Sequence, residues 1–270
     1  MLEKVNKSCN SNWLSRMQKN GYILSAMIEK NFKVQYRGSF LGILWTVLNP
    51  LLNMVVLVLV FSNLFGSSPE VGIYPIYLLV GTIVFNMVRQ STIQSLDSLV
   101  MNSDLIKKVK ISYSIFPLSN LFSALVNFAM TFIALIAIML IVGQRFYWTL
   151  ILIITIIPAI MLFSLGISLF LSAVYVFFRD IKHLYDVGMT LWNYLTPIFY
   201  SVSVINIGWV SKIVKLNPMY HFVTAARGLI QWGVIPSITE YLIMYGWAFG
   251  LLVFGLLVFK LLRKKYILYI

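Results

Sequence analysis

Apolar residues run along this chain in long blocks parted by short polar ones, and a segment of different rhythm precedes the first block. Stepped at 100° per residue, Leu24, Ile28, Phe32 and Tyr36 form one ridge, with Met27 and Val34 beside it. Glu29, Lys33 and Arg37 form another, with Lys30 alongside. The pattern predicts an amphipathic helix with one wholly charged arc, turning into a membrane span at Arg37-Gly38. Glu29 and Lys33, four apart, support that helix; Lys33 and Arg37 place like charges together, so the arc favours an outside partner. A basic collar lying on the bilayer beside a first span is the simpler account of the same residues.

Six apolar segments follow, at Phe40–Phe65, Ile73–Leu96, Ile115–Val142, Trp148–Val176, Val187–Ile207 and Tyr241–Phe259. Each is close to or above the about 20 residues that cross a bilayer. Between the second and third, Asn102 or Ser103 is placed to cap a short helix through Asp104–Lys110, with acid in its first turn and bases in its last. Leu105, Ile106 and Val109 give it a small apolar stripe. Spacing alone favours a helix lying on the bilayer over a knob docked into another protein. Small residues in the fourth segment (Ser164, Gly166, Ser168, Ser172, Ala173) predict close helix packing. In the next loop, Arg179 and Asp180 are expected to fix the chain through an ion pair or backbone contacts. Asp180 and His183 lack the further ligands that a metal site needs. The fifth segment gathers Trp192, Tyr194, Phe199 and Tyr200 around Pro197. Residues 208–239 read as two short helices dipping back into the outer leaflet, bent at Asn217-Pro218.

Of 270 residues, 60% are hydrophobic and 11% charged, so the expected fold is an all-α polytopic membrane protein. Residues 1–39 form a lead-in and interface helix, and 40–270 a single six-helix domain with an inner loop at 97–114 and an outer segment at 208–239. The first forty residues hold no apolar stretch of signal-peptide type, and the single Cys9 excludes a disulfide framework. On the side of the termini lie 17 Lys and Arg; Arg145, Lys212, Lys215 and Arg227 are the four on the other. Both termini are therefore expected in the cytoplasm. The net charge of +13 reads as a topology signal and an attraction to anionic lipid, with no nucleic-acid partner. No Glu, Asp, Lys or His stands mid-span, which disfavours ion-coupled carriage. No Gly-x-x-x-x-Gly-Lys-Ser/Thr loop exists to hold ATP. Work done by this chain must draw its energy from a partner.

Lys33-Val34-Gln35-Tyr36-Arg37-Gly38-Ser39-Phe40-Leu41-Gly42, then Trp45 and Leu48-Asn49-Pro50, resembles the opening segment of polysaccharide-exporting ABC transporter permeases. Leu105-Ile106-Lys107-Lys108-Val109 with Phe116-Pro117-Leu118 is similar to their first inner loop. Val176-Phe177-Phe178-Arg179-Asp180-Ile181, Thr196-Pro197-Ile198-Phe199-Tyr200 and Asn217-Pro218-Met219-Tyr220 follow in the family's order. The resemblance implies a homodimeric permease in a bacterial plasma membrane, moving a lipid-linked polysaccharide of the O-antigen, capsule or teichoic acid class. It implies two ATP-binding cassette subunits as partners, with ATP and Mg on them, no cofactor or metal on this chain and no catalytic residue. Lys33, Tyr36 and Arg37 map onto an interface helix, Leu105, Lys107 and Lys108 onto a coupling helix, and Arg179 and Asp180 onto the second inner loop. Asn217, Pro218 and Tyr220 map onto outer gate helices. Trp192, Tyr194, Phe199 and Tyr200 are suited to stack on sugar rings along the path, and equally suited to be core or belt residues. Two alternatives stand beside this reading. One is an ABC permease for a small drug, peptide or lipid. The other is a membrane enzyme on polyprenyl-linked sugars, for which Asp97, Asp104, Asp180 and Asp186 are too scattered.

Overall fold

A computed structural model describes residues 20–35, 38–42, 44–65, 71–108, 111–202 and 208–269. Every regular element among them is helical. Helix α1 spans 20–35, and the expected Tyr36 and Arg37 lie outside the described residues. Helices α2 (Leu44–Phe65), α3 (Tyr74–Leu96), α6 (Ile115–Val142), α7 (Ile153–Tyr175) and α11 (Ile238–Leu262) build the membrane body. Short α4 (Ser98–Met101) and α5 (Ser103–Lys108) fill the loop between α3 and α6. Helices α8 (Ile181–Leu195), α9 (Gly208–Leu216) and α10 (Pro218–Arg227) lie between α7 and α11, and α12 (Tyr266–Tyr269) ends the chain. Four helical stretches are long and apolar enough to cross a membrane: Tyr74–Leu96, Ile115–Val142, Trp148–Tyr175 and Ile238–Leu262. Leu44–Val60 adds a shorter apolar stretch. The chain is an all-α polytopic membrane protein.

Among the four stretches α3 is the least apolar and the most enclosed, with 72% of its membrane window buried against 22% for α11. A helix wrapped by other helices need not be lipid-soluble, provided that its hydroxyls find acceptors. Ser91 and Thr92 donate to the Val88 carbonyl and Ser95 to that of Ser91, one turn back. Helices at the rim instead show wide apolar faces, with Leu242, Phe249, Val253 and Leu257 of α11 exposed where lipid lies.

The small residues of α7 do what their spacing predicts: Ser164, Ser168, Ser172 and Ala173 are buried, and α11 crosses at Gly166. A Cβ on Gly255 would fall on the Gly166 carbonyl oxygen, so the two backbones touch directly. Thr155 and Tyr241 share a hydrogen bond of 2.9 Å across the same seam, and the Tyr245 hydroxyl donates to the Thr155 carbonyl.

The expected fifth span, Val187–Ile207, is not a continuous helix. Helix α8 begins at Ile181, inside the expected loop, and stops at Leu195. Pro197 forces this: it lacks a backbone donor and drives the preceding Thr196 to extended backbone, with ψ of 130°. Of the two ways expected for Arg179 and Asp180 to fix this loop, an ion pair or backbone contacts, the second is found: the Arg179 carbonyl accepts the Lys182 amide. Arg179 and Asp180 are exposed, and the ion pair of this region joins Lys182 to Asp97 at 2.8 Å. Asp180 anchors the loop through its carbonyl, which accepts the amides of His183 and Leu184.

Replacing Gly255 by leucine forces α7 and α11 apart along their whole seam. We expect a loss of stability of about 1–3 kcal/mol or more, read as a lowered unfolding temperature of the purified chain in detergent. Gly246→Leu, where a Cβ meets nothing within 4 Å, is the control and should leave that temperature unchanged.

Candidate functional site

Two clusters stand at opposite ends of the helix bundle. At the first, α1 lies across the ends of α3 and α6. Met27 is its buried contact and Ile23 packs beside it, four residues before. Leu24, Ile28 and Phe32, expected as the apolar ridge, are half-buried. Asn31 donates to Asn120 Oδ1 at 2.8 Å and to Ser123 Oγ at 3.2 Å, both on α6. Lys30 reaches Asn102 Oδ1 at 2.9 Å, tying α1 to the junction of α4 and α5. The charged arc stays in solvent, where Lys33 pairs with Glu29 at 2.6 Å and holds that carboxyl below the usual carboxylate range.

Helix α5 turns its apolar side inward. Leu105 and Ile106 pack against the cluster of Leu99, Phe116, Val176 and Tyr266, so Leu105 is not a free knob. What faces out is Met101, 76% exposed, with Asp104, Lys107 and Lys108. Exposed Arg179 and Asp180 stand in the loop before α8, whose Lys182 is bound to Asp97 at the end of α3.

At the opposite end the chain breaks after α8 and returns through α9 and α10. Asn217 joins these pieces. Its Oδ1 caps α10 by accepting the Met219 amide at 3.0 Å, and also accepts the Trp192 indole N–H at 2.8 Å. Its Nδ2 donates to Thr196 Oγ1 at 2.9 Å. Pro218 occupies the first turn of α10, where a missing amide costs nothing. Trp192 is therefore held inside the bundle, 6.1 Å from the Phe85 ring and 6.2 Å from that of Phe163. Tyr194 is exposed and leans on Phe199, and Tyr200 donates to the Tyr194 carbonyl. Tyr220 lies half-buried near the same break.

The residue to which sequence reasoning assigns no role is Arg227. It is buried, 3% exposed, at the C-terminal end of α10. Its guanidinium lies over the Tyr77 ring, 3.3 Å from the centroid. Nη1 donates to the Pro197 carbonyl and Nη2 to that of Ile198, both at 2.8 Å. Nε and Nη2 also reach the Tyr77 carbonyl at 3.2 and 3.1 Å. The Tyr74 hydroxyl binds the carbonyl of Phe199 and the Tyr77 hydroxyl that of Tyr200, each at 2.9 Å. Four successive carbonyls, 197 to 200, thus receive side-chain donors from α3 and α10. Gly81 makes the room: a Cβ there would sit 2.8 Å from Arg227 Nη2. In the sequence, an arginine closing an otherwise apolar helix next to Gly228 was the one available signal.

Among the described residues no three His, Cys, Asp or Glu side chains come together to hold a metal. Neither cluster has a nucleophile beside a base. The arrangement has an exposed charged surface at one end and a braced helix break at the other.

Arg227→Met should leave several buried carbonyls without donors, a loss of about 3–5 kcal/mol in thermal unfolding of the detergent-purified chain. Arg227→Lys, with a charge but no planar fork, should fall between. Tyr74→Phe removes a single bond and should cost about 1 kcal/mol.

Comparison with known proteins adds the family. An O-antigen export system permease protein RfbA from Myxococcus xanthus is 29% identical over 216 residues, covering 80% of this chain and 82% of the relative. Two proteins of the same name from Klebsiella pneumoniae are 30% and 28% identical over 228 residues, each covering 80% of this chain and 83% of the relative. The ABC-2 type transporter family matches residues 22–231, which takes in α1, both inner loops and the braced break. The chain belongs to the ABC-2 type transporter family, as a membrane-embedded transport subunit.

Proposed function

We propose that this chain is the permease of an ATP-driven exporter that moves a lipid-linked polysaccharide of the O-antigen class out across the bacterial plasma membrane. The observation that carries the reading is the family match, joined to three relatives whose names state O-antigen export. The chain holds no nucleotide loop of its own, so ATP and Mg belong to a cassette ATPase, present in two copies around a permease dimer. Both termini face the cytoplasm, as the 17 against four division of Lys and Arg favours. Six crossings then require the α8 segment and its outward continuation to make the fifth.

The surfaces at the α1 end suit docking. Met101, Asp104, Lys107 and Lys108 present an apolar and charged face beside Lys33, with Arg179 and Asp180 at the same end. Leu105 acts by seating this helix on the bundle. Asn217, Pro218 and Tyr220 form the hinge of the outer gate, and Tyr194, Phe199 and Tyr200 offer aromatic surface where sugars pass. Trp192 supports them from behind. Coupling runs through the Lys182–Asp97 pair: a push on the inner loops reaches α3 and α8 together.

A second copy of the chain has a suitable face. Leu184, Val187, Leu191 and Tyr194 recur at 3–4–3 spacing on α8, and all are more than half exposed. With Cys9 changed to serine, Leu191→Cys should cross-link two copies in native membranes, and Val253→Cys on the lipid side of α11 should not. Equal cross-linking at both positions would place the dimer face elsewhere.

Lys107→Glu combined with Lys108→Glu should leave insertion intact while abolishing co-purification of the ATPase subunit and cutting surface glycan at least tenfold. Normal export by that double variant would overturn the docking scheme.

A further inference from the structure

Between α2, α3 and α6, toward the α1 end, lies a cavity of about 600 Å³. Amides stand along its wall among apolar side chains: Asn49 from α2, Asn86 and Gln90 from α3, and Asn127 from α6, with Arg89 and Thr131. Among the described residues no carboxylate lines it. Among the described residues, the side chains of Asn49, Asn86, Arg89 and Gln90 make no hydrogen bond or ion pair within the chain. Asn127 is 4% exposed, and its Oδ1 has no hydrogen-bond partner.

Asn49, Asn86 and Arg89 are exposed to this cleft and Gln90 is half-buried, while Asn127 is enclosed; none of the four around Asn127 serves packing within the chain. Carboxamides and a guanidinium at membrane depth are tolerated when paired, and several elsewhere in this bundle are paired. Asn31 with Asn120, Asn217 with Trp192 and Thr196, and Arg227 with its carbonyls are examples. Unpaired groups turned to one roomy wall point to a ligand that completes them. The volume is that of a site for a small organic group. A guanidinium free of internal acids binds phosphate through its planar fork. Carboxamides both donate and accept, which matches the paired roles of sugar hydroxyls. Trp45 and Phe128 add aromatic surface for a ring face.

We infer that this cavity binds the head of a glycosylated lipid phosphate, with Arg89 on the phosphate and Asn49, Asn86 and Gln90 on the adjoining sugar. The inference rests on the export reading and deepens it: the cavity would be a loading site inside each subunit, reached from the α1 side of the membrane. Gln35 at the end of α1 and Gln94 of α3 line both this cavity and a second one beneath α1, giving a polar approach from that surface.

The test uses the full chain in phosphatidylcholine nanodiscs, without nucleotide or partner. The probes are a polyprenyl diphosphate carrying one N-acetylhexosamine, the same lipid without sugar, and phosphatidylglycerol. Arg89→Gln should weaken the first two about tenfold, with Arg89→Lys retaining most of the binding and so separating charge loss from misfolding. Asn49→Leu and Gln90→Leu should weaken only the sugar-bearing probe. Unchanged binding in all these variants, or displacement of the sugar lipid by phosphatidylglycerol at equal concentration, would overturn the site, the latter leaving a bulk-lipid contact only. A chain that supports export but binds no glycosylated probe likewise removes the site alone. A chain that binds it with Arg89 dependence but supports no export removes the export reading alone.

Discussion

A broken backbone inside a membrane must find its hydrogen bonds within the protein, because lipid offers none. Here the break after α8 exposes the carbonyls of Pro197, Ile198, Phe199 and Tyr200, and three side chains meet them: Arg227, Tyr74 and Tyr77. A charged donor is the economical choice, since one guanidinium serves several acceptors in a single plane. The Tyr77 ring beneath it supplies a face for the cation, and Gly81 yields the space. Remove this brace and neither the short α8 nor the return through α9 and α10 has a fixed position.

The brace also decides how force can travel. Helix α8 is laced to α3 at both ends: by Lys182 to Asp97 near the α1 surface, and by the carbonyl set to Tyr74 and Tyr77 at the other. Helix α10 is tied to the same break through Arg227 and, at its start, through Asn217. Helices α3, α8 and α10 therefore move as a group or shear at bonds that can be named. The α7–α11 pair is joined at Gly166 and Gly255 by backbone contact, and Ser168 of α7 ties it to this group by donating to the Ser91 carbonyl of α3 at 3.3 Å.

Periodicity made much of this legible. The α1 helix, the long spans, the close packing of α7 and the Asn217-Pro218 bend follow from local rules of helix faces, small residues and caps. The α8 break was half legible. Pro197 marks it, yet the apolar run across it reads as one span because hydropathy ignores backbone donors. The role of Arg227 was not legible for a related reason: its carbonyl partners at Tyr77, Pro197 and Ile198 are up to 150 residues away in sequence. The stripe of Leu105 fits an internal cluster as well as an external groove, so spacing alone does not choose between them.

Two arginines at membrane depth show how burial separates structural from binding roles. Arg227 is enclosed, and protein carbonyls take up its donors. Arg89 is exposed to a cavity where the side chains of Asn49, Asn86 and Gln90 make no hydrogen bond within the chain. By residue type and net charge the two are alike, and a count of charges treats them the same. What distinguishes them is the count of acceptors within reach. A cation whose acceptors are all internal braces the fold; a cation beside unpaired amides is incomplete until something outside the chain supplies the oxygen atoms. In a transport subunit the second kind is where cargo recognition is to be sought, since unmet polar groups in lipid are retained only if a function repays their desolvation.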